Sequence, residues 1–203
     1  VIIEDGDSAY TAFDGNVELK ANFRGRVLNY SINSFFQVNR SIFSRLLDYL
    51  ISELNRLDAS WNTLLDLYCG VGFFGILLSS LFEKIFFVEQ NKVACSYLEK
   101  NLLQNNINNA NIIKGDAGFG LGRIKENFDV AIIDPPRSGC EENAIREIEK
   151  AKPEILVYIS CNPSTLARDI NRLTKNVFEL INVQPFDFFP KTKHIECVAF
   201  LKS

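Results

Sequence analysis

The run of sequence that decides the fold reads Asp66-Leu67-Tyr68-Cys69-Gly70-Val71-Gly72-Phe73-Phe74-Gly75. The residues before the glycines predict a short buried strand and those after them a helix, so Gly70, Gly72 and Gly75 fit a G-x-G-x-x-G turn. Such glycines let a ligand approach the backbone closely, and Glu89, which ends the next predicted strand, could accept hydrogen bonds from both hydroxyls of a ribose. The combination predicts a site for a nucleoside-type cofactor. A turn needed only for packing of helix on strand is the alternative.

Alternating strands and helices surround this run. Strands are predicted at residues 64–68, 85–89, 111–114, 129–133 and 155–160. Helices are predicted at residues 41–54, 73–81, 93–103, 141–151 and 163–174. This alternation indicates a parallel sheet with helices on both faces. Two last strands, at 177–184 and 195–201, have no helix between them and predict an antiparallel edge. The expected architecture is therefore α/β, with a mostly parallel sheet and an antiparallel final strand.

The first 38 residues have a different pattern. Apolar and polar residues alternate from Val17 to Phe23, as in a half-buried strand, and Asp14-Gly15 before them is a hairpin turn signal. Residues 1–38 are interpreted as a small β-rich segment, the remnant of a preceding subdomain, and residues 39–203 as the main domain. The chain contains no methionine, even at position 1, which suggests that it begins inside a longer protein.

Composition narrows the class of protein. The chain has 203 residues, 47% of them apolar and 23% charged, as in ordinary globular domains. The net charge of −3 argues against a free-standing nucleic-acid-binding module, which usually carries a basic surface. No apolar run reaches the roughly 18 residues that cross a bilayer, so no membrane partner is expected. Five cysteines without a secretory signal predict free thiols in the cytoplasm, and the absence of a C-x-x-C pair predicts no metal.

Two aspartates follow further predicted strands. Asp116 could reach an adenine amino group, or it could cap the next helix. Asp134 opens the run Asp134-Pro135-Pro136-Arg137, at a strand end where open α/β sheets bind ligands. The prolines stiffen this loop, and its carboxylate could face a cationic sulfonium, bind a substrate amide or cap a turn. A rigid acid-Pro-Pro favours a methyltransferase over a nicotinamide enzyme. Arg137, in the place of a stacking aromatic, counts against methylation of a base amino group.

Cys161 is the best candidate for a nucleophile. It follows the fifth predicted strand and precedes a helix that starts at Pro163, where the helix dipole favours the thiolate. The other four cysteines are interpreted as small packing residues. Glu196 falls in an apolar strand, where it is either an exposed edge residue or a base in a dry pocket with a raised pKa.

Together these motifs resemble the catalytic domain of the RNA uracil-5-methyltransferases, which make 5-methyluridine in tRNA or ribosomal RNA. The resemblance spans about residues 33–203 and rests on five motifs in order: Phe35-Phe36-Gln37-Val38-Asn39, Asp66-Leu67-Tyr68-Cys69-Gly70-Val71-Gly72, Asp134-Pro135-Pro136-Arg137, Ser160-Cys161-Asn162-Pro163 and His194-Ile195-Glu196. It implies that residues 39–203 are a class I S-adenosylmethionine-dependent (Rossmann-like) methyltransferase domain.

The resemblance also implies roles for individual residues. S-adenosyl-L-methionine is the implied cofactor, and tRNA or ribosomal RNA is the implied partner, with no obligate protein partner evident. Cys161 is the implied nucleophile and Glu196 the implied general base. The cofactor is assigned by resemblance to Gln37, Tyr68, Glu89 and Asp134, and by position to Gly70 and Asp116. Four aromatic residues could stack on RNA bases or, equally, pack in the core: Phe35, Phe36, Phe188 and Phe189.

Two alternatives to uracil methylation stay open. One is an RNA methyltransferase that acts on cytosine, also with a cysteine nucleophile, or on a base amino group. The other is an inactive scaffold that binds cofactor or RNA on the same fold, since fold alone does not determine function. The scaffold is disfavoured because Cys161 and Glu196 both occupy motif positions.

Overall fold

The computed structural model describes residues 2–5, 8–13, 16–31, 40–57, 60–188, 190–192 and 195–203. The N-terminal part forms a four-stranded antiparallel sheet, paired in chain order, of β1 (Ile2–Asp5), β2 (Ser8–Phe13), β3 (Asn16–Phe23) and β4 (Arg26–Ser31). The β-rich character predicted for this segment is confirmed. The predicted boundary at residue 38 lies outside the described residues.

The main sheet has seven strands within the described part of the chain. They are β5 (Thr63–Leu67), β6 (Lys84–Glu89), β7 (Ala110–Lys114), β8 (Val130–Ile133), β9 (Ile155–Ser160), β10 (Glu179–Phe186) and β11 (Glu196–Lys202). Their order across the sheet is β10-β11-β9-β8-β5-β6-β7. The strands β5 to β9 are parallel, and β11 runs antiparallel to both of its neighbours. The mostly parallel sheet with an antiparallel final strand is confirmed.

Six α-helices are present among the described residues: α1 (Arg40–Leu57), α2 (Phe73–Leu77), α3 (Lys92–Gln104), α4 (Ala117–Leu121), α5 (Glu142–Ala151) and α6 (Pro163–Leu173). The helix predicted at residues 73–81 is too long, because α2 ends at Leu77 and a separate 3-10 turn covers Ser79–Leu81. The sequence does not predict α4, since Gly118 and Gly120 weaken its helical pattern.

The main sheet separates two apolar layers. The helices α1, α2 and α3 cover one face, and β3 and β4 pack into the same cluster, which includes Leu28, Leu50 and Leu98. The helices α4, α5 and α6 cover the other face, with Ile148 and Leu166 among the buried residues. None of the helices in the described ranges is long and apolar enough to span a bilayer. Strand order reverses between β5 and β8, and in open α/β sheets ligands bind beyond the carboxyl ends of the strands at such a point.

Candidate active site

The glycine loop joins β5 to α2 at the carboxyl edge of the sheet. Tyr68, Gly70 and Gly72 have positive φ angles of 61°, 56° and 88°, so the chain reverses within a few residues. A Cβ atom on Gly72 would lie 2.3 Å from Cδ1 of Leu98, which leaves no room for a side chain there. A Cβ atom on Gly70 would meet nothing within 4 Å. This side of the loop is therefore open to a ligand.

Glu89 ends β6 and holds the glycine loop. Its Oε2 accepts a hydrogen bond from the backbone N of Gly70 at 2.9 Å, and its Oε1 accepts one from the backbone N of Asn91 at 2.7 Å. A carboxylate has about four lone-pair sites, so each oxygen keeps capacity for a further donor such as a ribose hydroxyl. An open glycine turn beside such a carboxylate fits the nucleoside part of a cofactor.

Asp66 is a buried acid that the sequence analysis did not single out, although it opens the glycine motif. Its Oδ2 accepts a hydrogen bond from the backbone N of Gly75 at 2.8 Å. Burial raises the pKa of Asp66 to about 8, and repulsion from Asp134 and Glu89 contributes, so this carboxyl is largely protonated at neutral pH. A Cβ atom on Gly75 would lie 2.3 Å from Cε1 of Phe87, so α2 packs directly on β6.

Two predicted cofactor residues have local partners. The hydroxyl of Tyr68 donates to Oε2 of Glu141 at 2.7 Å, and burial raises the pKa of this phenol. Oδ1 of Asp116 accepts a hydrogen bond from the backbone N of Phe119 at 2.9 Å, so Asp116 caps α4. The capping alternative for Asp116 is confirmed, and its contact with a cofactor stays a prediction. Gln37 lies outside the described residues.

The loop after β8 is tied to α6. Asp134 follows β8 beside the point of strand-order reversal, and burial raises its pKa to about 7. The carbonyl oxygen of Arg137 accepts hydrogen bonds from Nδ2 of Asn162 at 3.2 Å and from Oγ1 of Thr165 at 3.3 Å. The first turn of α6, immediately after Cys161, therefore sets the position of this loop.

A polar network beneath this loop centres on Asp169, whose side chain is fully buried. Oδ2 of Asp169 accepts hydrogen bonds from the backbone N of Cys140 at 2.9 Å and from the hydroxyl of Tyr158 at 2.7 Å, and Oδ1 accepts one from Nε of Arg168 at 2.9 Å. The network joins β9, α6 and the loop. The sequence analysis missed it, because an aspartate within a polar helical run looks like a surface residue.

Cys161 and Glu196 lie at the same end of two neighbouring strands. Cys161 directly follows β9, and Glu196 is the first residue of β11. The antiparallel register pairs Ser160 with Cys197, and Glu196 is close enough to raise the pKa of the Cys161 thiol. Glu196 is only 4% exposed. The exposed-edge alternative for this residue is therefore wrong, and the structure brings the two predicted catalytic residues together.

The environment shifts the proton affinities of both groups. Burial raises the pKa of Glu196 to about 8, with repulsion from Asp134 contributing and attraction to Arg137 opposing. Burial and the neighbouring Glu196 also raise the pKa of the Cys161 thiol, although a hydrogen bond from Arg137 lowers it. Burial and the carboxyl of Glu196 thus oppose the thiolate that the start of α6 is expected to favour, and the thiolate of Cys161 stays a prediction.

Other predicted roles are also decided by burial. Phe188 is 2% exposed and packs against Phe43 with ring centroids 6.3 Å apart, so it belongs to the core and does not stack on RNA. Phe35, Phe36 and Phe189 lie outside the described residues. No cluster of three or more potential metal ligands occurs in the described ranges. The four cysteines interpreted as packing residues are all buried: Cys69, Cys95, Cys140 and Cys197.

Comparison with known proteins identifies the family. A sequence model described as tRNA (uracil-5-)-methyltransferase matches residues 12–119 and 120–203. The chain belongs to this family. Relatives named as uncharacterized RNA methyltransferases include a Bacillus cereus protein, 37% identical over 179 residues, and a Clostridium acetobutylicum protein, 36% identical over 197 residues. The matches cover 85% and 97% of this chain but 38% and 42% of the relatives, so the chain spans less than half of their length.

Solved structures agree with the family. The tRNA (uracil-54, C5)-methyltransferase of Pyrococcus abyssi, in complex with S-adenosyl-L-homocysteine, matches with a TM-score of 0.75 at 28% identity, over 98% of this chain and 50% of that one. A precorrin-6y C5,15-methyltransferase from Geobacter metallireducens matches with a TM-score of 0.62 at 17% identity, over 78% and 88% of the two chains. The second match shows the fold alone. The predicted methyltransferase fold is confirmed.

Proposed function

We propose that this chain methylates carbon 5 of a uridine in tRNA or ribosomal RNA, with S-adenosyl-L-methionine as the methyl donor and a covalent Cys161 adduct as the intermediate. One observation carries the proposal. Cys161 and Glu196, the proposed nucleophile and base, lie together at the carboxyl edge of the sheet, directly beyond the pair of Ser160 with Cys197. Cys161 follows β9, which pairs with β8, and β8 leads into the loop of Asp134 and Arg137. This chemistry needs both groups at one ring.

The cofactor site is proposed at the glycine loop. The carboxylate of Glu89 would accept hydrogen bonds from the ribose hydroxyls, and Gly70 would leave space for the ligand against the backbone. Asp134, which lies between this loop and the catalytic pair, would face the positive sulfonium. Tyr68, Asp116 and Gln37 are proposed as further contacts. When bound, S-adenosyl-L-methionine supplies an electrophilic methyl group.

The catalytic residues would act in sequence around the uracil ring. Carbon 5 of uracil is a poor nucleophile, and attack by Sγ of Cys161 on carbon 6 forms an enolate that makes carbon 5 nucleophilic. Once carbon 5 has gained the methyl group, the carboxylate of Glu196 removes the proton from carbon 5. The electrons of that C–H bond form the carbon 5–carbon 6 double bond, and the thiolate leaves carbon 6. A methyl cation equivalent is added and a proton is lost, so the uracil ring ends neutral and conjugated, as it began.

The raised pKa of Glu196 suits this step. A general base works best when its pKa lies near the operating pH, and burial brings this carboxyl to about 8. The side chain of Arg137, which hydrogen-bonds the thiol, would stabilise the thiolate at the moment of attack. The target base must also leave its stack, at a cost of a few kcal/mol, so an unpaired loop uridine is the expected substrate.

The test is covalent trapping on RNA that contains 5-fluorouridine, in which fluorine cannot leave as a proton does. The protein with S-adenosyl-L-methionine should form an adduct that survives denaturing electrophoresis. Cys161→Ala should form none, and Cys197→Ala, which removes a neighbouring buried thiol, should form as much as the wild type. With ordinary RNA, Glu196→Gln should accumulate the adduct and release little product.

The product nucleoside distinguishes the related chemistries. We expect 5-methyluridine by mass spectrometry of digested RNA. A product of 5-methylcytidine or an N-methylated base would refute uracil specificity, and normal turnover by Cys161→Ala would refute the covalent mechanism.

A further inference from the structure

The side chain of Asn101 on α3, which is 0% exposed, bonds both the N-terminal sheet and the glycine loop. Oδ1 of Asn101 accepts hydrogen bonds from the backbone N of Asn29 at 2.7 Å and from Nδ2 of Asn29 at 2.9 Å. Nδ2 of Asn101 donates to the carbonyl oxygen of Asn29 at 3.0 Å and to that of Val71 at 3.1 Å. The amide thus uses two acceptor and two donor positions, which is its full capacity.

These partners belong to two different parts of the molecule. Asn29 lies in β4 of the N-terminal sheet, and Val71 lies between Gly70 and Gly72 of the glycine loop. The loop is held from its other side by Glu89, which accepts from the backbone N of Gly70. The helix α3 also contacts the loop through Leu98, whose side chain lies so close to Gly72 that no side chain would fit there.

We propose that Asn101 is a positioning residue that couples the N-terminal sheet to the cofactor-binding loop. The inference rests on the proposed function, in which this loop receives S-adenosyl-L-methionine. Glycine tolerates both signs of φ, so hydrogen bonds fix the orientation of the peptide between Val71 and Gly72. The backbone N of Gly72 donates to the carbonyl oxygen of Cys69 at 2.8 Å within the loop. The Val71 carbonyl oxygen accepts from Asn101, and the side-chain amide of Asn101 is itself oriented by two donors from β4. The N-terminal sheet therefore contributes to cofactor affinity without touching the cofactor.

Two matched substitutions separate positioning from stability. Asn101→Asp keeps the acceptor for both donors of Asn29 and removes the donor to the carbonyl oxygens of Asn29 and Val71. Asn105→Asp makes the equivalent change one helical turn later: Asn105 accepts from the backbone N of Val27 at 2.9 Å and donates to the carbonyl oxygens of Val27 and Asn101, each at 2.7 Å. Both variants should lose hydrogen bonds to β4, and only Asn101→Asp should also lose the hydrogen bond to the glycine loop.

The readouts are the melting temperature without ligand and the Kd for S-adenosyl-L-homocysteine by calorimetry at a temperature where all variants are folded. Both variants should have a lower melting temperature than the wild type. Asn101→Asp should weaken ligand binding by roughly 5- to 100-fold, as expected for one unsatisfied buried carbonyl, and Asn105→Asp should stay within about twofold of the wild type. Equal affinities for the wild type and Asn101→Asp, or equal losses in both variants, would overturn the coupling.

A measurement on the wild type covers the case in which Asn101→Asp does not fold. Coupling is reciprocal, so S-adenosyl-L-homocysteine should slow backbone hydrogen exchange in β4 (Arg26–Ser31). Binding that leaves exchange in β4 unchanged would refute the coupling alone. Failure of the wild type to bind the ligand would instead refute the proposed function, and the coupling with it.

Discussion

Replacing Glu196 by glutamine should stabilise the protein, and the gain should grow as the pH rises. The folded state raises the pKa of this carboxyl from an ordinary 4.5 to about 8. Between these values the unfolded chain releases its proton and the folded chain keeps it, so the unfolded state is favoured increasingly with pH. Each pH unit in this window costs about 1.4 kcal/mol. Glutamine has a similar shape and no charge, so the variant does not incur this cost.

The magnitude follows from the two pKa values. The difference in unfolding free energy between Glu196→Gln and the wild type should contain a pH-dependent part of about 1 kcal/mol at pH 5 and about 3 kcal/mol at pH 7. It should level off above pH 8. Any fixed effect of the amide adds a constant and leaves the slope unchanged.

The assay is urea unfolding of both proteins from pH 5 to pH 8.5 under reducing conditions. Comparison at each pH removes the contributions that both proteins share, including that of Asp66. A stability difference that stays constant over this range would refute the account of Glu196 as a carboxyl held in a dry site. The same substitution should abolish product release, so a gain in stability would accompany a loss of activity.

Two further substitutions test the packing and the network around the site. Gly75→Ala would place its Cβ 2.3 Å from Phe87 and should cost about 1–3 kcal/mol of unfolding free energy. Gly115→Ala would place its Cβ at an ordinary 3.7 Å from Cδ1 of Phe119 and should change the unfolding free energy by under about 0.5 kcal/mol. Urea unfolding measures both, and equal effects would contradict the close packing of α2. Tyr158→Phe removes the 2.7 Å hydrogen bond to the buried Asp169 and should cost about 1.5–3 kcal/mol, so a neutral result in the same assay would show that this bond contributes nothing.

The main sheet could be predicted from the sequence because its strands are apolar runs bounded by glycine, proline or acids. The run from Ile155 to Ser160 is buried at every position, and its predicted limits are those observed. Short elements could not be predicted in the same way. The five-residue helix α4 contains Gly118 and Gly120, and its stability depends on the Asp116 cap and on packing against the sheet, neither of which has a periodic signal.

The site shows a similar division. Motif positions identified Cys161 and Glu196 as candidates, and the register of β9 and β11 brings them together. The direction of the pKa shift at Cys161 could not be predicted from the sequence, because it depends on burial and on a carboxyl 35 positions away in the chain. Asn101 and Asp169 were missed for the same reason. Each looks like an exposed polar residue of a helix until the packing of other elements buries it.

The position of β11 determines when the proposed catalytic pair, Cys161 and Glu196, can come together during protein synthesis. It lies between β9 and β10, although it follows both in the chain. Within the described sheet β10 is the edge strand and pairs with β11, so it can join the sheet only when β11 has been made. Glu196 is the first residue of that strand. A partly synthesised chain therefore carries Cys161, the proposed nucleophile, without Glu196, the proposed base, and the two come together only when β11 joins the sheet.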